Sequence, residues 1–276
     1  MQIEHQGREQ FSQGTFGNGG VNLFVDASGV IRRIMDNDLN GNGLFDIALP
    51  NSHGYIERAP TFIYTQQNDG WDKVQLPHDS CWVPKAVDVD GDGYLDLIIA
   101  NGENGVTSEL KSYLYWGGPD GLTGEYLAFD TIGAYDVAVC DISGSGLPAV
   151  IFSTAWCDHH NAGTPLYQKV FIQTSPRQFT DATGEYALAG LATISLLGED
   201  LNGDGYPELV LANYREQFTY DTDSFVYRGI PGGFDPANPT RLPTHYALQV
   251  LAADLNDDGF KELIFTGGSQ VMIYMW

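Results

Sequence analysis

The stretch Asp88-Val89-Asp90-Gly91-Asp92-Gly93-Tyr94-Leu95-Asp96 runs directly into the apolar segment Leu97-Ile98-Ile99-Ala100. Related nonapeptides begin at Asp38 (DLNGNGLFD), Asp141 (DISGSGLPA), Asp200 (DLNGDGYPE) and Asp254 (DLNDDGFKE). Their first aspartates are 50, 53, 59 and 54 residues apart. One element of fixed chemistry at a spacing of this size marks a repeat array, each unit packing on its neighbours.

Oxygen-bearing side chains occupy positions 1, 3, 5 and 9 of the nonapeptide, and glycine occupies position 6. A hard divalent cation such as Ca²⁺ takes six to eight oxygens, and a short turn with inward-facing side chains supplies them. Glycine permits the positive-φ bend such a turn needs. Position 7 offers only its carbonyl, so its side chain can be apolar. The expected ligands are therefore Asp38, Asn40, Asn42, Leu44 and Asp46 in the first copy, and Asp88, Asp90, Asp92, Tyr94 and Asp96 in the second. In the fourth they are Asp200, Asn202, Asp204, Tyr206 and Glu208, and in the fifth Asp254, Asn256, Asp258, Phe260 and Glu262. The second copy has the most carboxylates; the first has two and should bind more weakly. The third, with Ser143, Ser145 and Ala149, should be an ion-free turn, which leaves about four Ca²⁺ sites.

An EF-hand loop needs a bidentate glutamate at position 12. Position 12 here is Leu49, Ile99, Leu211 or Phe265, inside apolar runs that read as buried strands. The loop therefore joins two strands. Further strands are expected at residues 61–64, 112–116, 169–172, 224–227 and 270–274, each followed by a weaker one, and another strand feeds the next loop. Four strands per unit match a propeller blade.

Quoted together, DVDGDGYLDLIIANG, DLNGDGYPELVLANY and SYLYWGGPDGL resemble the FG-GAP or VCBS repeats, the β-propellers of integrin α-subunits and of secreted bacterial proteins. The resemblance spans about residues 20–276 and implies an all-β propeller of four-stranded blades that carries calcium. It leaves function open, because such propellers serve as adhesion modules, lectins and polysaccharide lyases. One domain is expected over 20–276, after an extension at 1–19. Five blades close if the strand around Phe24 supplies the outer strand of the last blade; the alternative is a fragment of a seven-bladed ring.

A net charge of −23 argues against nucleic acid or an anionic membrane as partner. No apolar run is long enough to span a bilayer. The N-terminal MQIEHQGREQ lacks a signal-peptide core, so a leader is absent or removed. Three cysteines allow at most one disulfide and say little of compartment. Loops of modest affinity suit calcium-rich surroundings, hence an extracellular, cell-surface or periplasmic location.

The loops at the opposite ends of the strands carry the residues for ligand binding. Trp82, Asn101, Asn104, Tyr135, Asp158, Tyr220 and Tyr246 offer stacking faces and polar groups suited to carbohydrate. Three readings follow: a carbohydrate-binding module, a lyase of uronic-acid glycans, or a module that adheres to a protein surface. A lyase needs a cation for the uronate and a base and acid for the proton. Arg58 or Arg215 would be the first, and His53, His159 or His160 with Tyr55, Tyr214 or Tyr220 the second. No spacing assigns an acid–base pair, so the binding module is preferred.

Overall fold

The protein is described from a computed structural model, which covers residues 22–25, 31–35, 38–43, 46–49, 60–67, 70–79, 81–155, 165–216, 219–256, 258–267 and 270–275. The expected extension at 1–19 lies outside these residues.

Apart from one helical turn at Thr183–Tyr186, the described elements are strands. A hairpin pairs β1 (Asn22–Val25) with β2 (Ile31–Met35). Five antiparallel sheets follow, each containing one repeat loop or beginning just after it. The first sheet orders β3 (Ile47–Leu49), β4 (Pro60–Gln67) and β5 (Gly70–Asp79). The second orders β6 (Cys81–Val87), β7 (Asp96–Asn101), β8 (Lys111–Tyr115) and β9 (Tyr126–Asp130). In the third, β10 (Val137–Cys140) and β11 (Ala149–Phe152) are followed by β13 (Lys169–Ser175) and β14 (Gln178–Asp181); short β12 (Leu166–Tyr167) pairs with β15 (Ala189–Gly190) beside them. The fourth orders β16 (Thr193–Glu199), β17 (Glu208–Asn213), β18 (Asp221–Tyr227) and β21 (Thr240–His245), with the small ribbon β19 (Gly229–Ile230) and β20 (Gly233–Phe234) between the last two. The fifth has β22 (Gln249–Ala253), β23 (Glu262–Gly267) and β24 (Gln270–Tyr274).

In the second, third and fourth sheets the strand after the loop (β7, β11, β17) is buried at every residue, because both of its faces are covered. Leu97 and Ile99 of β7 pack with Ile63 of the first sheet, while Ile98 and Ala100 pack with Val150 and Phe152 of the third. Register makes the stacking regular. The cross-strand row Ala138–Ile151–Val170 of the third sheet is buried against Leu196, Leu209 and Phe225 of the fourth. The equivalent row of the fourth, Leu197–Val210–Val226, packs on Val250, Leu263 and Phe265 of the fifth. In the fifth sheet the same row is Leu251–Ile264–Ile273, and here Leu251 is 46 % and Ile273 51 % exposed.

The strand at Phe24 pairs with β2, whereas the sequence placed it against the last sheet. A hairpin joins neighbouring segments across a short loop, so its closure entropy is small beside that of pairing the two ends of the chain.

Candidate functional site: repeat loops and the cavity at the opposite strand ends

At each loop the first aspartate accepts the N–H of the position-6 glycine: Gly43, Gly93, Gly146, Gly205 and Gly259, at 2.6–2.9 Å. Those glycines all have positive φ, between 81° and 91°. The side chain at position 3 accepts the N–H of position 5 in the first, second, fourth and fifth loops (Asn40, Asp90, Asn202, Asn256). Position 5 in turn accepts the N–H of position 7 at Tyr94, Tyr206 and Phe260. Short polar side chains capping their own backbone in this way set the turn before any ion is bound.

Position 9 differs in kind. Asp46, Asp96, Glu208 and Glu262 are at most 1 % exposed. One oxygen of each accepts the N–H of position 2: Leu39 at 2.7 Å, Val89 at 2.8 Å, Leu201 at 3.0 Å and Leu255 at 2.7 Å. The other oxygen of Asp96 accepts Gly117 N–H at 2.7 Å, and that of Asp46 accepts Gln66 N–H at 2.9 Å. The carboxylate thus staples the loop to the next strand. Burial pushes Asp96 up to about 6 in spite of these bonds, and raises Asp46 and Glu208 in the same direction. Gly117 and Gly229, which the sequence reading passed over, allow the close approach. A Cβ at Gly117 would stand 2.3 Å from the Leu95 carbonyl oxygen, and one at Gly229 2.5 Å from that of Pro207. Their common offset from position 9 was the available signal.

The donor set fits a hard cation. One oxygen each from Asp88, Asp90 and Asp96 lies within 4.8 Å of the others, the widest separation two ligands of one ion can have at about 2.4 Å each. The first loop is described at Asp38, Asn40, Asn42 and Asp46, while Leu44 lies outside the described residues. The third loop keeps the turn without position 9: Ala149 is 1 % exposed, and Ser143 and Ser145 bond to each other at 2.8 Å. Burial pushes Asp141 up, but the N–H groups of Gly146, Ser143 and Ser145 outweigh it and hold the carboxyl below its usual range.

A family model described as an FG-GAP-like repeat matches residues 38–99 and 200–265. These two segments are FG-GAP-like repeats. The matched segments contain the first, second, fourth and fifth loops, and the lapsed third FG-GAP loop falls between them. Among solved structures, the crystal structure of the V. cholerae biofilm matrix protein Bap1 is similar at 20 % identity, with a TM-score of 0.40, over 69 % of this chain. The chain spans 30 % of that protein's length. No curated protein matches.

At the opposite ends of the FG-GAP strands a cavity of about 1110 Å³ opens between the second, third, fourth and fifth sheets. Trp82 and Tyr135 line one side, stacked at 4.2 Å between centroids. Gly102 lets them lie flat, since a Cβ there would meet both rings within 2.9 Å. Tyr214 and Tyr246 line the other side with centroids 4.9 Å apart, and Tyr220 packs on both. Tyr246 has φ +53°, as Ala192 and Gly133 do at the equivalent entry to their sheets (φ 52° and 53°). A tyrosine thus holds a backbone conformation that glycine adopts more readily. Arg215 and Glu103 also line the cavity, and the Arg215 guanidinium lies 5.8 Å from the Tyr214 ring. Half-buried Asp136 accepts Ser195 Oγ–H and Leu196 N–H, both at 2.8 Å, tying the third sheet to the fourth. Burial raises its pKa, and that of Tyr214 is raised by burial together with its bonds to Tyr246 and Tyr220.

The structure therefore brings Trp82, Tyr135, Tyr214, Arg215, Tyr220 and Tyr246 together. Asn101 lies inside its sheet: it is 2 % exposed, and its amide donates to Lys111 O at 2.7 Å as Asn213 donates to Asp223 O at 2.9 Å. Asn104 caps its own turn, accepting Val106 and Thr107 N–H at 3.0 Å. His53, Tyr55, Arg58, Asp158, His159 and His160 lie outside the described residues. Among the described residues no helix is long and apolar enough to cross a membrane.

Proposed function

We propose that the chain is an extracellular binding module, a calcium-stabilised propeller that recognises carbohydrate in the cavity opposite its repeat loops. The observation that carries this reading is the cavity lining. Two aromatic groups, Trp82–Tyr135 and Tyr214–Tyr246, flank Arg215, Glu103 and Gln249. Flat aromatic faces take the C–H faces of sugar rings, and the polar groups between them pair with hydroxyls. Calcium, about four ions at the first, second, fourth and fifth loops, stabilises the sheets that frame the cavity and supplies no chemistry there.

In this reading the five sheets are blades of one ring, closed where the fifth meets the first. The uncovered row Leu251–Ile264–Ile273 supports it, because the equivalent rows of the third and fourth sheets are buried against a successor. Ile273→Asp should cost about 2 kcal/mol or more in urea unfolding if a sheet covers that row. A change within about 0.5 kcal/mol means an open seam.

The lyase reading has one observation in its favour, Arg215 beside Tyr214 in the cavity. The raised pKa of Tyr214 counts against its use as a base, since a tyrosine that holds its proton cannot take another. Binding to a glycan array, lost in Trp82→Ala and Tyr246→Ala, tests the proposal. If uronic-acid glycans instead yield an unsaturated product absorbing in the ultraviolet, the module is a lyase. If a protein ligand binds through the cavity and no glycan does, it is an adhesion module.

A further inference from the structure

The second loop has a feature that the other four lack. Position 3 is Asp90 there, and Asn40, Ser143, Asn202 or Asn256 elsewhere. The Asp90 side chain is only 4 % exposed, and its partner comes from the next sheet. Arg177, at the tip of the β13–β14 hairpin, donates through Nε to Asp90 Oδ2 and through Nη2 to Asp92 Oδ2, the latter at 3.0 Å. Its guanidinium lies 4.7 Å over the ring of Trp116. Gln173, on the same hairpin, with its amide turned to the orientation that satisfies both ends, donates to Val89 O at 3.1 Å and accepts Arg177 N–H at 3.0 Å. Arg177 itself is held at φ +63°, a conformation that non-glycine residues rarely take.

The hairpin tip of the second sheet touches the first loop at the same place, but there it is Gly121 against Asn40, without charge. Arginine thus stands where the loop carries the extra carboxylate. The four acidic side chains of the second loop (Asp88, Asp90, Asp92, Asp96), offset by one guanidinium, leave three net negative charges. The fourth loop (Asp200, Asp204, Glu208) has three, and the arginine it meets, Arg228, is 73 % exposed and stands 3.7 Å from Asp204 Oδ2, beyond hydrogen-bonding distance. The fifth has the same three positions acidic (Asp254, Asp258, Glu262), and its further Asp257 and Lys261 cancel in charge.

We infer that Arg177 sets the divalent-cation affinity of the second repeat loop, offsetting the charge of Asp90 and linking ion uptake to the contact between the second and third sheets. The inference rests on the calcium reading of the loops. A fixed positive charge a few ångströms from a dication opposes its binding. In the ion-free protein the same charge neutralises a nearly buried carboxylate, whose exposure as an unpaired charge is costly. By linkage, what stabilises the ion-free loop lowers its affinity for the ion.

The test is calorimetric titration of the full chain with CaCl₂, with the second-loop component identified as the one lost in Asp88→Ala. In Arg177→Gln that component should tighten by on the order of tenfold, since one of the charges acting on the dication is gone. Arg177→Lys, which keeps the charge, should stay near the wild type. Asp90→Asn combined with Arg177→Gln should return toward wild-type affinity, because both charges of the pair are removed. Melting curves give a second readout: Arg177→Gln should lower the melting temperature in chelator more than in excess calcium. A second-loop isotherm that is unchanged or weaker in Arg177→Gln, with wild-type calcium binding intact, overturns the inference and leaves Arg177 as a packing residue. If the wild-type chain takes up no calcium, the calcium reading falls and the inference with it.

Discussion

The second and third repeat loops share a backbone and differ in chemistry. Asp88 and Asp141 each accept the N–H of the position-6 glycine, Gly93 at 2.9 Å and Gly146 at 2.6 Å. Serines at positions 3 and 5 of the third loop keep it closed through their own hydroxyls. At position 9 the resemblance ends, with a buried carboxylate at Asp96 and a buried methyl at Ala149. The turn is therefore set by bonds within the loop, whatever stands at position 9. The position-9 carboxylate ties the loop to the next strand, and it completes an oxygen cage that the third loop lacks.

The largest effect should separate the two at position 9. Asp96→Ala strands the buried N–H groups of Val89 and Gly117, and should cost about 3 kcal/mol in urea unfolding. Val150→Ala, beside Ala149 in the third sheet, removes two methyl groups and leaves no polar group unpaired, so it should cost about 1–2 kcal/mol less. Equal losses would mean that Asp96 is a packing residue and not a staple.

Next in size is the response to calcium. Chelation should lower the melting temperature of the wild type by several degrees, as loss of a ligand bound only by the folded state requires. Asp88→Ala should remove part of that response and Asp141→Ala none of it. An equal loss in both variants would place an ion in the third loop as well.

The smallest difference is in pH dependence without calcium, and its sign reverses between the loops. Asp96 is raised from 3.8 to about 6, so its ionisation opposes folding and its contribution falls as pH rises from about 4 to 6. Asp141 is lowered, so its contribution is present above 3.8 and is lost as pH falls below that value. Stability profiles of Asp96→Asn and Asp141→Asn, each subtracted from the wild type, should slope in opposite directions. Profiles of the same sign would contradict the burial of Asp96.

The nonapeptide was legible because its chemistry is local. Positions 1, 3, 5 and 6 bond within the loop, and the apolar run after position 9 announces a strand covered on both faces. The sequence reading ranked the second loop highest by counting carboxylates, and could not see Arg177, which lies 87 residues from Asp90 in the chain. In sequence Asn101 offers a ligand's chemistry and Gly117 reads as a turn glycine. The roles of both, an amide across to Lys111 O and a close approach to Leu95 O, depend on strands that meet only in the sheet.

The sequence by itself determined the repeat, the turn at each loop, the missing position-9 carboxylate of the third copy and the FG-GAP-like segments, because each depends on residues close together in the chain. Tertiary structure decided which aromatic residues face one another across the cavity, which carboxylates are buried, and which cation stands beside Asp90. Those follow from how successive sheets stack, and stacking joins residues that no local spacing connects.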